Sequence, residues 1–260
     1  PRHDYDSPWK EMLSEYFQEF MMFFFPDVSQ DIDWTRRYEL LDKELRQITR
    51  EADIGVRLAD HLVKVWKKNG EETWVLIHVE IQAQRKGDFP HRMYVYDYRI
   101  YDVYNRPVAS FAVLADENPG WRPSGYVRKL WGSSTEFRFP VVKILDYRDR
   151  WEMLEVSNNP FAIVVQAHLK TLETQQDEAS RARWKVTLAK ELYKRGFSKA
   201  DIVKLYRFID WLMVLPEDLE QVCFQEIVYF EEEQKMPYIT TAERIGIEKG
   251  MKEGLEKGMK

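Results

Sequence analysis

The 260-residue chain has a single cysteine, Cys223. That excludes a disulfide framework and a cysteine-rich zinc site. No run approaches ~20 uninterrupted apolar residues, so the sequence predicts no membrane span. The opening residues Pro1-Arg2-His3-Asp4-Tyr5-Asp6 contain no apolar stretch of the kind a secretory signal needs. A strong charge of one sign is missing too: 39 Lys+Arg against 44 Asp+Glu leave a net charge of −5. This argues against an all-over basic coat and leaves room for a local basic groove. Together these absences predict a soluble, cytoplasmic protein with no membrane partner. Core material is plentiful, since 44% of residues are hydrophobic and 14% aromatic, with 9 Trp. That excludes global disorder and is enough for one or two domains.

Helix signals open the chain. Asp6 or Ser7 caps, Pro8 takes the first turn, and Met12, Phe17, Phe20, Met21 and Phe24 supply an apolar face that Pro26-Asp27 ends. A second helix is predicted from about Trp34 to Ile48, with Leu41, Glu44, Leu45 and Ile48 on one stripe. Glu44 then borders a buried face. Further on, Phe89 to Tyr104 reads as a helix rich in Tyr and Arg. Pro107 to Asp116 and Phe137 to Tyr147 read as strands either side of a Gly/Pro-rich loop at 117–125. From about Asn159 the chain turns helical, over Phe161 to Glu173, Ala179 to Arg195, Ser198 to Leu215 and Asp218 to Glu233. A soft boundary near 155 separates an α/β part (1–155) from a helical part (156–237). A polar tail (238–260) follows, with Gly246, Gly250, Gly254 and Gly258 at four-residue spacing.

The most informative stretch is 57–84. Two β-rich runs, Arg57 to Lys67 and Thr73 to Gln84, flank Asn69-Gly70, a strong hairpin signal. On the second run Val75, Ile77, Val79 and Ile81 alternate with Trp74, Leu76, His78, Glu80 and Gln82. A three-residue loop Asn69-Gly70-Glu71 keeps the faces matched. It sets Lys68 opposite Glu72 and Asp60 opposite Glu80, with Cβ atoms ~5 Å apart. Two acids in an apolar hairpin are costly unless something positive neutralises them. A shared divalent cation is one solution, since hard oxygen ligands suit Mg²⁺ or Mn²⁺. The carbonyl of Ile81 is then a third ligand, Gln82 a group that orients water, and Glu44 a further acid. The alternative is a pair of ordinary solvent-facing strand carboxylates.

A Glu on a helix, an Asp on a strand and Glu-x-Gln on the next strand resemble the PD-(D/E)XK nuclease superfamily. The text is closest to its recombination-promoting (Rpn-like), transposase-like branch. The resemblance rests on Leu58-Ala59-Asp60-His61-Leu62-Val63-Lys64-Val65 and Leu76-Ile77-His78-Val79-Glu80-Ile81-Gln82. It extends through Arg92-Met93-Tyr94-Val95-Tyr96 and Asn159-Pro160-Phe161-Ala162 to the Gly-repeat tail. It implies an α+β fold, with a restriction-endonuclease-like αβββαβ core and a helical C-terminal part. It also implies metal ligation by Asp60, Glu80 and the Ile81 carbonyl, catalytic roles for Asp60, Glu80, Gln82 and Glu44, a Mg²⁺ (or Mn²⁺) cofactor and a DNA substrate. The cellular setting implied is recombination, mobile-element or phage-related DNA processing. Gln82 departs from the superfamily's usual lysine and removes a charge-stabilising group; Arg57, Lys64, Arg92 and Arg99 are the replacements at hand. A catalytically weak or inactive module on the same fold, binding nucleic acid or protein, is the rival expectation.

Asp53, as a rival to Asp60, lies seven residues and ~23 Å of extended strand from Glu80's partner, and is set aside. His78 reads as a hydrogen-bonded structural residue, and Tyr94, Tyr96, Tyr98, Tyr101 and Tyr104 as either a base-stacking platform or core packing. Between 181 and 207 nine basic residues face only Glu191 and Asp201. They form either a backbone-binding arm or a solvated helix face. The glycine tail reads first as a solvated extension and second as a helix-packing or oligomer contact; that contact and the need to cut two strands are the grounds for expecting a homodimer.

Overall fold

The computed structural model describes residues 6–51, 59–80 and 89–239. The chain divides into two compact units, Pro1–Met153 and Leu154–Lys260. The first is mixed α/β. Helices α1 (Asp6–Glu15), α2 (Phe17–Phe24) and α3 (Pro26–Asp31) lead to a short strand β1 (Glu39–Leu40) and helix α4 (Asp42–Glu51). Strands β2 (Ala59–Trp66) and β3 (Glu72–Glu80) precede helix α5 (Phe89–Tyr104) and strand β4 (Val108–Leu114). Strands β5 (Gly125–Leu130), β6 (Ser133–Arg138) and β7 (Val141–Lys143) and a 3₁₀ turn over Ile144–Arg150 complete the unit.

The main sheet has the order β1-β2-β3-β4-β7. Its first two pairings are antiparallel and its last two parallel. Helix α5 is the crossover that a parallel β3–β4 pair requires. One sheet face carries Leu62, Trp74 and Leu76, which pack with Leu45 of α4 and Tyr96 and Ile100 of α5. Ala112, Leu114 and Phe139 extend that layer against Phe89 and Met93. The opposite face, with Val63, Val75, Ile77, Val79 and Phe111 buried, lies toward the first helices; Phe25 meets Phe111 at 4.7 Å between ring centroids.

Three expectations change here. Pro26 does not end helical structure but starts α3 at a first-turn position, where its missing N–H costs nothing. The predicted 34–48 helix begins only at Asp42, because residues 39–40 pair with β2 as an edge strand. Lys64 Nζ, 2.7 Å from Glu39, reinforces that pairing, and Leu41 N–H donates to the Leu62 carbonyl. The helix bearing Glu44 therefore sits between the first two strands. The predicted 137–147 strand is cut to Val141–Lys143 and runs on into the 3₁₀ turn. Its start belongs instead to the β5–β6 hairpin, which pairs Gly125 with Arg138 through Leu130 with Ser133. The two-residue loop of that hairpin, Trp131-Gly132, has φ of 48° and 85°, as a type I′ turn requires. Glycine accepts this freely, whereas a left-handed tryptophan costs about 1–2 kcal/mol.

Helix α6 (Trp151–Val156) contains the boundary between the units, and the second unit continues with α7 (Pro160–Glu173), α8 (Glu178–Lys194), α9 (Lys199–Leu212) and α10 (Glu217–Gln234). Asn159, Asp177 and Ser198 cap α7, α8 and α9 by accepting backbone N–H bonds. Helix α7 is buried from Pro160 to Leu169. Among the described residues no helix is long and apolar enough to cross a membrane.

A buried ion pair, Lys143 with Asp116, closes the β7 end of the sheet in the first unit. Burial pushes the Lys143 ammonium's pKa down, and the Asp116 bond opposes this. Asp116→Ala strands that ammonium and is expected to cost about 3–5 kcal/mol in urea unfolding, whereas Asp116→Leu with Lys143→Met recovers most of the loss. Equal costs for the single and the double change would refute this account.

Candidate functional site

The geometry of the β2–β3 hairpin decides where the acids lie. In the structure Asp60 pairs with His78 and Trp66 with Glu72. The three-residue loop is Lys68-Asn69-Gly70, closed by Lys67 N–H donating to the Glu71 carbonyl at 2.8 Å. The expected loop, Asn69-Gly70-Glu71, was one residue too far along the chain. The reason is backbone sterics: a three-residue hairpin loop ends on a residue of positive φ, and Gly70, at φ 89°, is that residue. The register therefore shifts by two residues. Asp60 and Glu80 keep the same face, but as diagonal neighbours, for which ~7–8 Å replaces the expected ~5 Å. For both residues the backbone alone is described. Ile81 and Gln82, and the rejected rival Asp53, lie outside the described residues.

His78 takes the place expected of Glu80, opposite Asp60. It is fully buried, and its Nε2 lies 3.2 Å from the Arg92 guanidinium. Arginine can only donate, so Nε2 accepts and the ring's proton sits on Nδ1. Phe89 packs on both groups, with ring centroids 4.9 Å from His78 and 5.5 Å from the Arg92 carbon. Helix α5 aims these residues by periodicity: Phe89, Arg92, Met93, Tyr96 and Ile100 fall on one buried stripe. Arg92 is 5% exposed and keeps its charge there. Of the proposed lysine substitutes, it is the one beside His78. Lys64 is drawn to Glu39 and lies over Trp66, Arg99 is half-buried further along α5, and Arg57 is outside the described residues.

One turn along α5, Asp97 accepts a 2.7 Å bond from Ser110 of β4. Burial raises the pKa of this carboxyl, and the Ser110 bond offsets only part of the rise. Glu44 is half-buried in the first turn of α4, next to Leu45. Among the described side chains, which exclude those of Asp60 and Glu80, no three His, Cys, Asp or Glu groups converge on a metal position.

Two other constellations resolve as structural. Ser14, His61 and Asp42 line up as a nucleophile, base and orienting acid would, with Ser14 Oγ 3.5 Å from Nε2 and Asp42 Oδ1 3.0 Å from Nδ1. Sequence spacing hid this trio, because α1, α4 and β2 bring it together. However, Nε2 is also 3.1 Å from the Lys10 carbonyl, and the Ser14 hydroxyl donates to that same oxygen at 3.0 Å. The Ser14 proton is thus committed to the Lys10 carbonyl and not to the ring, so the hydroxyl is not set up as a nucleophile. The trio clasps α1 and α4 to the sheet.

Five of the nine cations at 181–207 are held by other groups of the same unit, while Arg183 and Arg207 stay exposed. Lys185 is fully buried, 2.6 Å from Asp210 and 2.7 Å from Glu220. Arg181 donates to the Thr174 and Val214 carbonyls, and Arg195 to those of Leu154 and Ser157. Lys190 and Lys194 lie within 3.6 and 2.8 Å of Glu226 and Glu191. Folding thus brings α9 and α10 acids to cations that look unopposed along the α8 sequence. The tyrosine run divides: Tyr96 is core, Tyr104 packs on Trp74, Tyr94 stacks on Tyr126 at 5.1 Å, and Tyr98 and Tyr101 are exposed.

The His61–Asp42 clasp has a pH signature. Burial works to raise the Asp42 pKa, but the hydrogen bond and charge of His61, with Lys10 and Arg46, outweigh it and the net shift is down. A lowered carboxyl contributes stability above its unfolded value near 4, and loses it as pH falls through the folded value. Asp42→Asn is expected to cost about 1–2 kcal/mol at pH 7, with the gap from wild type closing below about pH 4 in urea titrations. A gap that does not change with pH would show that the carboxylate charge plays no part. Comparison of the chain with family models, curated proteins and solved structures finds no match.

Proposed function

We propose that the chain is a divalent-metal-dependent DNA endonuclease of the PD-(D/E)XK type, similar to the Rpn-like branch. The observation that carries this reading is the hairpin register. It places Asp60 and Glu80 on one face of adjacent antiparallel strands, with His78 and the buried Arg92 beside them. The succession β2, β3, crossover helix α5 and parallel β4 is compatible with the second half of an αβββαβ core. The Glu44 helix follows β1 instead of preceding all the strands.

The donor chemistry suits a hard cation. Arg92 occupies the lone pair of His78 Nε2, so the ligands remaining at this face are carboxylate and carbonyl oxygens. Asp60, Glu80 and the Ile81 carbonyl would hold Mg²⁺ or Mn²⁺. A bound ion there would lower the pKa of a water and offset charge on a phosphodiester. Gln82 holds a water by hydrogen bonds without taking its proton. Arg92 supplies the fixed positive charge that the superfamily's lysine would bring, and Phe89 keeps water from its flank. The absence of that lysine favours a second reading, a weakly catalytic module on the same fold.

Plasmid cleavage with Mg²⁺ or Mn²⁺ tests the proposal. Asp60→Ala and Glu80→Ala, each with an unchanged circular dichroism spectrum, are expected to lower the rate on the order of 100-fold or more. Silence of the wild type with both metals, or activity that survives both substitutions, overturns it.

A further inference from the structure

The β5–β6 hairpin has no role in the proposed chemistry, yet it carries the most exposed aromatic of the described chain. Residues 127–134 are exposed without a break, and Trp131 at the tip is 98% exposed. That tryptophan sits in a left-handed position, φ 48°, which asparagine or glycine would fill without strain. Strain kept at an exposed, unpacked side chain points to a use for that side chain. Leu130 and Val127 are exposed beside it.

Charge surrounds this apolar tip. The hairpin pairing puts Arg128 on one face of the ribbon, with Leu130, and Lys129 on the other, with Val127. Neither cation has an ion-pair partner among the described residues; Arg138, nearer the base, is held by Glu136 at 2.6 Å. The returning strand offers the hydroxyls of Ser133, Ser134 and Thr135. A ribbon with a cation on each face and hydroxyls on one strand matches a groove between two phosphate walls, where lysine, arginine, serine and threonine make most backbone contacts. An apolar wedge at its tip matches a base step opened for stacking. A membrane fits less well, since the tip would carry those hydroxyls into hydrocarbon and two unpaired cations fall short of the usual 4–8 of a lipid-binding cluster.

The ribbon's base is fixed close to the candidate site. Tyr126 stacks on Tyr94 at 5.1 Å, Phe137 meets Tyr94 at 5.8 Å and Phe139 at 5.6 Å, and Phe139 meets Phe89, which packs on His78. From Tyr126 to Trp131 the strand projects ~17 Å. We infer that the β5–β6 ribbon is the element that grips duplex DNA, with Trp131 stacked against a base step and Arg128 and Lys129 on the flanking phosphates. The inference rests on the nuclease reading for its substrate.

Substitution Trp131→Asn separates binding from folding, because asparagine suits the turn. The full-length variant is expected to melt at the same or a higher temperature than wild type, yet to bind a fluorescent 30-base-pair duplex about 10-fold or more weakly by anisotropy in EDTA. Arg128→Ala with Lys129→Ala is expected to weaken binding and flatten its salt dependence by up to about two phosphates. Wild-type affinity in Trp131→Asn, or an unchanged salt slope in the double variant, overturns the assignment. So does a wild type that leaves DNA unbound, or Trp131-dependent binding confined to phosphatidylserine vesicles. Cleavage scored in parallel keeps the two ideas apart: a wild type that binds through Trp131 but never cuts removes the nuclease and leaves the ribbon. A wild type that cuts equally well after Trp131→Asn, with its affinity intact, removes the ribbon and leaves the nuclease.

Discussion

The conformation of Gly70 governs the first unit. Its positive φ ends the hairpin loop, sets Lys67 against Glu71, and through that one closure aligns every residue of β2 with its partner on β3. A slip of one residue would turn Leu62 and Leu76 to the wrong layer and take Asp60 off the face of Glu80. The slip of two that separates expectation from structure preserves both layers. Every β2 residue takes a new direct partner, and at Asp60 the change is from a carboxylate to a histidine.

That exchange alters the electrostatics of the face. Two directly opposed acids would repel and depend on a cation alone. The observed arrangement spaces them diagonally and inserts a neutral His78 held by a permanently charged guanidinium. The same sheet face carries Ser110 with Asp97 and Lys143 with Asp116, so a line of hydrogen-bonded polar pairs crosses an otherwise apolar layer. Hydrogen-bonded pairs of this kind restrict their side chains to one geometry, which the proposed site would require. In the helical unit the same chemistry has another outcome: Lys185, buried between Asp210 and Glu220, ties three helices together and presents no charge to a partner.

Much of the architecture was legible in the chain. Helix α5 spans the residues its pattern marks. Ser198 announces α9, because a side-chain cap acts on a backbone N–H two or three residues away. Strand β1 was not legible, since two residues form a strand only when an edge is there to pair with. The β5–β6 hairpin escaped as well: Trp-Gly is a poor type I′ signal beside Asn-Gly, and the strands' exposure leaves little alternation to see. Arg92, a candidate from the start, was distinguishable from Lys64 and Arg99 only after α5 had been laid across β3.

Local patterning thus settled that α5 and α7 to α10 are helices and β2, β3 and β4 strands, which side of the hairpin is apolar, and that Asp60 and Glu80 share a face. Each of these depends on a period of two or 3.6 residues, or on a bond within one turn. Only the tertiary structure decided that His78 faces Asp60, that Arg92 is buried against it, and that Lys185 and Lys190 of α8 meet Glu220 and Glu226 of α10. Register turns on the single backbone angle of one glycine, and charge neutralisation on which helices meet, and neither leaves a periodic trace in the order of the residues.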